Sequence, residues 1–583
     1  MRPIRTLYTA ALFCIFAIIG CSGADTTREQ NNQHANVTLY TAEAILTQNQ
    51  SDQIAEAVAV SQTGLILKVG TLADIRASFP DAAIDNSFDG KTILPGLIDP
   101  HVHMTLGAMM YGLEWIPPWD MPSPTGLVKG LADKPSLMAR IAEIEAEQAE
   151  GPLILFGYHN LVQGDIDRHD LDAVTTKRPI FIWHYSGHDF YLNSAAIEMA
   201  KLTPTLAQKF HGVDLDKKGE LTGRIYEDAA LALFATLGPI LLSPQHIQKG
   251  FEAYETLLAQ GGVTTIAEMG YGIFGRQLED QFLSAHYGDD APYNLYLVPE
   301  HRAFAKEFGE GSAEKILSLT NTRVDIPVLK QVKLFTDAAF YSQTMKMKAP
   351  GYIGGQSKGT DGLWVTKPDA LPALMGRYWE QGLDIHIHSN GDAAQDATLA
   401  AISALPDGQD GQRVILEHVG QMTPEQIEIA KSLPVGISAA SHYVNYMGED
   451  YAAAIGEKVA HITPLASTMA AGLPTTVHSD APLAPPMPLH AASVHATRLT
   501  RQGTISTPTE RLTPKQALRA ITIEAAWSLG LEGEIGSIDV GKTADFTILE
   551  QNPLEHDPKT WDEIDVWGVM LKGKTRPLND APE

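Results

Sequence analysis

Cysteine is almost missing. The 583 residues contain two, Cys14 and Cys21, both near the start. A disulfide framework, a Cys nucleophile and a Cys-rich structural zinc site are therefore excluded from the body of the chain. Any metal there must be held by His, carboxylate or modified Lys. Basic residues are also scarce, 43 Lys and Arg against 70 Asp and Glu, for a formal charge of −27 with no dense basic stripe. Such a chain repels phosphate backbones, which argues against nucleic acid as a partner. At the start of the chain, the apolar run over residues 7–19 is shorter than the roughly 20 residues of a comfortable transmembrane helix.

That run follows Arg2 and Arg5 and ends at Gly20 and Cys21, a pattern that resembles a bacterial lipoprotein signal. Residues 1–20 are expected to be removed and Cys21 to carry lipid, an ordinary secretory signal being the alternative. Several acyl chains on one Cys satisfy the two-signal requirement for stable anchoring. By the same resemblance, Ser22 after the Cys implies a cell-envelope protein on the outer membrane, facing the periplasm. Residues 21–36 are polar and rich in Gln, Asn and Thr, and read as a flexible tether.

Residues 37–93 and 534–583 hold short apolar runs parted by Gly and Asp, which predicts one small β-domain built from both chain ends. Between them, strand-like runs alternate with longer helical stretches, as in a parallel α/β fold. Eight runs follow in order: ILPGLIDPHVH, VTTIAEM, YNLYLVP, QVKLFTD, LDIHIHS, RVILEHV, PVGISAA and LPTTVHSD. Eight is the number a (β/α)8 TIM-like barrel requires, so residues 94–533 are expected to form one. An insertion over about 104–246, too long for a structureless link, should carry strands of its own in PLILFGY and PIFIWHY and sit over the catalytic rim.

Candidate metal ligands close five of the eight runs. His101 and His103 lie two apart, so one strand presents both imidazoles on one face. Lys333, His388, His418 and Asp480 end the fourth, fifth, sixth and eighth runs, at the rim where barrel active sites lie. Neutral imidazole and carboxylate suit Zn²⁺ or a similar divalent ion. His386 shares a face with His388 but lies deeper, and reads as a core histidine bonded to a neighbour. Trp115 and Trp119 follow the first ligands and read as walls of an apolar acyl or aryl pocket, with insertion core as the equal alternative. His442, after the seventh run, is a candidate to contact substrate or polarise its carbonyl.

In this order, PGLIDPHVH, HYSGHDFYLNS, VKLFTD, HSNGDAA, LEHVG, HSDAP and GSIDVGKTADFTIL resemble the metal-dependent amidohydrolase superfamily, specifically its amidohydrolase-3 or YtcJ-like branch. The resemblance covers nearly everything after the tether. It implies a TIM-like barrel joined to a small β-sandwich, and hydrolysis of small N-acyl or N-formyl amides. It further implies two divalent ions, taken as Zn²⁺, one on His101, His103 and Asp480 and the other on His388 and His418. A plain ammonium cannot ligate a cation; the resemblance makes Lys333 a carbamylated lysine that bridges the ions. Asp480 would take a proton from a metal-bridging hydroxide and hand it to the departing amine. His184 and His188 fall in a segment the resemblance places near the substrate. The expected function is a metal-dependent hydrolase of non-peptide carbon–nitrogen bonds. A mononuclear-metal deaminase on the same barrel, which would spare Lys333, and a lipoprotein that binds metal or solute without catalysis are the alternatives. Which amide is cut, and whether the chain forms a homo-oligomer, are left open.

Overall fold

The eight apolar runs form eight parallel strands: β1 (Leu97–Val102), β2 (Val263–Tyr271), β3 (Asn294–Pro299), β4 (Gln331–Phe335), β5 (Asp384–Ser389), β6 (Val414–His418), β7 (Val435–Ala440) and β8 (Thr475–His478). The computed structural model describes residues 37–578 apart from 148, 149, 289 and 324; the expected signal, Cys21 and the tether lie outside the described residues. Every residue of β1, β2, β6, β7 and β8 is buried. Strands covered on both faces read as continuous apolar runs rather than as alternation, which is why the sequence shows them so plainly. Among the described residues no helix is long and apolar enough to cross a membrane.

The strands are hydrogen-bonded in chain order, β1 to β3 in one sheet and β4 to β8 in another. Parallel bridges Leu297–Val328 and Glu300–Lys333 connect β3 to β4, and Val102–Ala481 brings the end of β8 round to β1. At that seam the His103 N–H donates to the Ala481 carbonyl at 2.8 Å and the Asp480 N–H to the His101 carbonyl at 3.2 Å. The strands thus run round a ring, and its closure sets Asp480 beside the histidine pair.

Outside the ring, helix Pro244–Gln260 shows how the covering layer is specified. Ser243 and Pro244 open it, and Ile247, Gly250, Phe251, Tyr254, Leu257 and Leu258 make one buried stripe. Gly250 is where it meets helix Met104–Tyr111, behind the first ligands: a Cβ there would lie 1.7 Å from the Ala108 carbonyl oxygen. Gly250→Ala is therefore expected to destabilise the protein by about 1–3 kcal/mol through forced separation of the helices. Urea unfolding checks this, and an unchanged midpoint would show that the contact yields freely.

Two larger sheets flank the ring. Within the insertion, strands run in the order Val213–Leu215, Leu221–Tyr226, Asp189–Leu192, Ile180–His184, Leu153–Tyr158 and Glu114–Trp115. PLILFGY and PIFIWHY supply the adjacent parallel pair at its centre. Both chain ends build the other sheet, in the order Lys574–Pro577, Val566–Leu571, Phe546–Leu549, Ala83–Pro95, Thr38–Leu46, Ile54–Val60 and Ile66–Gly70. Both ends of the chain meet in this small β-domain, and hydrogen bonding is continuous across all seven strands. The reason is Ala83–Pro95, thirteen residues long, whose Thr92 and Ile93 pair with Thr38–Leu46 on one side and Phe546–Leu549 on the other. A Leu65–Thr543 bridge then curls the sheet back on itself.

Candidate active site

At the carboxyl end of the ring, imidazoles and carboxylates from β1, β2, β6 and β8 converge. His103 Nε2 lies 3.3 Å from Asp480 Oδ1, His101 Nε2 lies 3.6 Å from the same oxygen, and His418 Nδ1 lies 3.5 Å from Asp480 Oδ2. Lys333 Nζ is 3.4 Å from His101 Nε2. On its far side, His103 Nδ1 is 3.4 Å from Glu268 Oε1, whose other oxygen accepts the Met104 N–H at 2.6 Å. His388 has its ring centre 4.4 Å from that of His418, but its Nε2 pairs with the Ala338 carbonyl at 3.1 Å and Asn390 Nδ2 at 3.0 Å.

Beneath this layer lies Glu417, fully buried. Oε2 pairs with His101 Nδ1 at 2.7 Å and stands 3.4 Å from His478 Nδ1, while Oε1 pairs with His386 Nδ1 at 2.5 Å. His386 is held from its other nitrogen by Gln331 at 3.1 Å, so it is a bonded core histidine. Adjacent strand residues ordinarily face opposite sides. Here the backbone enters the left-handed region at His418 (φ 70°) and Val419 (φ 47°), so Glu417 and His418 both reach the site. Such conformations cost of order 1–3 kcal/mol each and collect at functional sites.

Among the described residues, two groups of donors are compact enough to share one cation: His101, His103 and Asp480, and His101, His418 and His478. The first is the expected set. For the second ion, expected on His388 and His418, the structure instead groups His418 with His478; the Nε2 of His388 is engaged by the Ala338 carbonyl and Asn390. Burial and the neighbouring Lys333 push His101 well down, and burial with His388 and Lys333 does the same to His418, so both stay neutral, as metal ligands must be. Burial works against charge on Asp480, yet the histidines around it outweigh burial and keep it ionised. Burial likewise opposes charge on His103, but Asp480 and Glu268 raise it to about 9. A site that draws a proton so strongly between two carboxylates is one that favours a cation. Burial lowers Lys333 to about 8, which leaves a larger neutral fraction of the amine than an exposed lysine has. Neutral His101 and His418 beside an ionised Asp480 fit a divalent ion.

The profile of the amidohydrolase family matches residues 88–576. The chain belongs to that family. It is 23% identical over 535 residues to amidohydrolase YtcJ of Bacillus subtilis, covering 89% of this chain and 95% of the relative. It is 24% identical over 538 residues to the N-substituted formamide deformylase of Arthrobacter pascens, covering 91% and 96%. These place it in the amidohydrolase-3, YtcJ-like branch. A metal-dependent hydrolase of uncharacterised function from Pyrococcus horikoshii OT3 shares the fold, with a TM-score of 0.65 at 20% identity over 90% of this chain and 99% of that one. This chain is a metal-dependent amidohydrolase acting on carbon–nitrogen bonds.

The amidohydrolase site opens on a cavity of about 90 Å³, lined by the ligands together with His188, Phe335, Phe340, Tyr341, Tyr443 and others. Of the residues expected at the substrate, His188 is on this wall. His184, His442, Trp115 and Trp119 are not among its lining residues. His184 is buried and pairs with Ser186 Oγ at 3.0 Å, and His442 pairs with Ser441 Oγ at 2.6 Å with its ring against His490. Trp119 stacks on Tyr446 and packs edge-on against Tyr185, and Trp115 packs on Tyr111 and Phe156, so for these two the core reading holds. Glu417, Glu268 and His478 escaped the sequence reading. Their signals were present: an acid inside an apolar strand is rarely buried unless paired, and His478 stands two residues before Asp480 as His101 stands before His103.

Proposed function

We propose that this amidohydrolase cleaves the amide bond of small N-formyl or N-acyl amines, on a (β/α)8 TIM-like barrel with two divalent ions, Zn²⁺, at its rim and a carbamylated Lys333 between them. The observation that carries this reading is the shape of the site: donors from five strands converge on one cavity of about 90 Å³. The relative named N-substituted formamide deformylase supports the same substrate class. His101, His103 and Asp480 would hold one ion, and His418 with His478 or His388 the other. Bound there, the ions supply a Lewis acid for the carbonyl and lower the pKa of water. The chain's own residues do the rest: Asp480 accepts the proton of the attacking water, Glu417 orients His101 from behind, and Phe340, Tyr341 and Tyr443 limit water around the acyl group. The burial of Lys333 and its 3.4 Å distance from Nζ to His101 Nε2 support that reading of its role.

Metal analysis with a panel of N-formyl, N-acetyl and N-aryl amides tests this. Lys333→Ala is expected to halve the ion content and to lower turnover by more than the roughly 10–100-fold that follows loss of an outer partner. One ion per chain, with rate and content indifferent to Lys333, would favour the mononuclear deaminase; full metal without turnover would favour a binding protein.

Anchoring of Cys21 to the outer membrane, facing the periplasm, is proposed alongside, supported by Arg2, Arg5, the short apolar run and Ser22. Cys21→Ala should move the protein from the membrane to the soluble periplasmic fraction. Unchanged membrane retention would rule out the lipid anchor.

A further inference from the structure

His188, contributed by the insertion, stands on the wall of the catalytic cavity and is not one of the metal ligands. Its Nδ1 pairs with Glu227 Oε2 at 3.0 Å, and among the described residues its Nε2 has no hydrogen-bond partner. Glu227 is itself tied down. Its Oε1 accepts from Thr344 Oγ1 at 2.7 Å, and its N–H donates to the His188 carbonyl at 3.0 Å. The Glu227 backbone is left-handed at φ 50°, a conformation disfavoured for any residue with a Cβ.

From the other side, the His188 N–H donates to Ser186 Oγ at 3.0 Å. Next in line, Asp189 is clamped by Arg224 at 2.7 and 2.9 Å and by Ser342 Oγ at 2.7 Å. Ser342 and Thr344 follow β4, so ring and insertion fix this imidazole jointly. That is the third-group logic of an oriented acid or base: a carboxylate on one ring nitrogen leaves the other free to serve the reacting atoms. His188 lines the same cavity as His101, His103, Lys333, His388, His418 and Asp480.

We infer that His188 is the general acid of the reaction, its Nε2–H protonating the departing nitrogen, with Glu227 as the positioning residue behind it. The assignment rests on the amide-hydrolase reading above. Water oxygen bonds to the carbonyl carbon as one water proton passes to Asp480. The C–N bond then breaks, its electron pair stays on nitrogen, and nitrogen takes the His188 proton. Afterwards Asp480 releases its proton and His188, part-exposed at 41% of its side chain, regains one from solvent. The sum is amide plus water giving acid and amine. The charged groups facing His188 are Glu227, Asp189 and Asp480, while the facing imidazoles His184 and His388 stay neutral. Burial opposes charge on His188, and Glu227 outweighs it, raising its pKa above the ordinary histidine value.

Leaving-group dependence tests the role. In the metal-loaded enzyme, His188→Gln should lower kcat about 100-fold for N-formyl alkylamines, whose leaving nitrogen needs a proton. For N-formyl-4-nitroaniline, which needs little help, the loss should be under about 3-fold. Glu227→Gln should show the same slope more weakly. Equal losses across the series would overturn the proposal in favour of carbonyl polarisation or mere structure, and a change confined to KM would overturn it in favour of binding. Metal content and the unfolding midpoint of each variant verify folding. If the wild-type protein turns over no amide, the amide reading fails; His188 is then judged by NMR titration of its ring, whose pKa is expected to fall in Glu227→Gln relative to wild type. A ring pKa that does not respond to Glu227→Gln would overturn the assignment on its own.

Discussion

Turnover of an N-formyl amine by the Asp480→Asn protein falls by about 10³-fold, within the range lost when a positioned proton acceptor is removed. Asn keeps the size of Asp480, so the seam between β8 and β1 stays closed. What changes is chemical. Asp480 Oδ1 faces His101 and His103, and Oδ2 faces His418; an amide has half the acceptor capacity and cannot take a proton. Ion content measured beside the rate separates the two roles of this side chain. If saturating Zn²⁺ restores the ion but not the rate, proton transfer is the missing element. A loss below about 10-fold with full metal content would show that Asp480 is neither acceptor nor ligand.

Glu417→Ala is expected to lower the stability of the metal-free protein by about 3–5 kcal/mol, the cost of breaking a buried ionic cluster from one side. Removal of this carboxylate strips partners from His101 and His386 and leaves His478 and Lys333 without their nearest counter-charge. Burial works to raise its pKa, but the bond from His386 and the charge of Lys333 prevail, lowering it from 4.5 to about 2. A depressed carboxylate pKa contributes stability that is fully present above the unfolded value and lost as pH falls through the folded one. The Glu417 contribution to the difference between wild-type and variant should therefore shrink between about pH 4.5 and 2. Urea midpoints across that range measure it. A difference below about 1 kcal/mol at pH 7 would mean that the cluster is not structural.

Parts of this site were open to a reader of the sequence because they depend on neighbours within a few residues. A period of two puts His101 and His103 on one face whatever else the chain does, and continuous burial gives β1, β2, β6, β7 and β8 their apolar runs. Other parts follow rules that the backbone breaks. In LEHV, simple alternation assigns Glu417 and His418 to opposite faces; the left-handed turn at His418 cancels that assignment. Trp115 and Trp119 stand close in sequence to the first ligands, yet aromatic rings gain by packing on one another, and Tyr446, Tyr185, Tyr111 and Phe156 claim them.

By itself the chain's order of residues determined the succession of strands, the kinds of ligand available and the want of any thiol in the body, since each is a matter of local periodicity or composition. Tertiary structure alone decided which imidazoles share a carboxylate, which histidine on the insertion reaches the cavity and how small that cavity is. The physical reason is distance along the chain. Asp99 accepts the N–H of Ser479 across 380 positions, and only closure of the ring, driven by burial of every strand between them, makes those two residues neighbours.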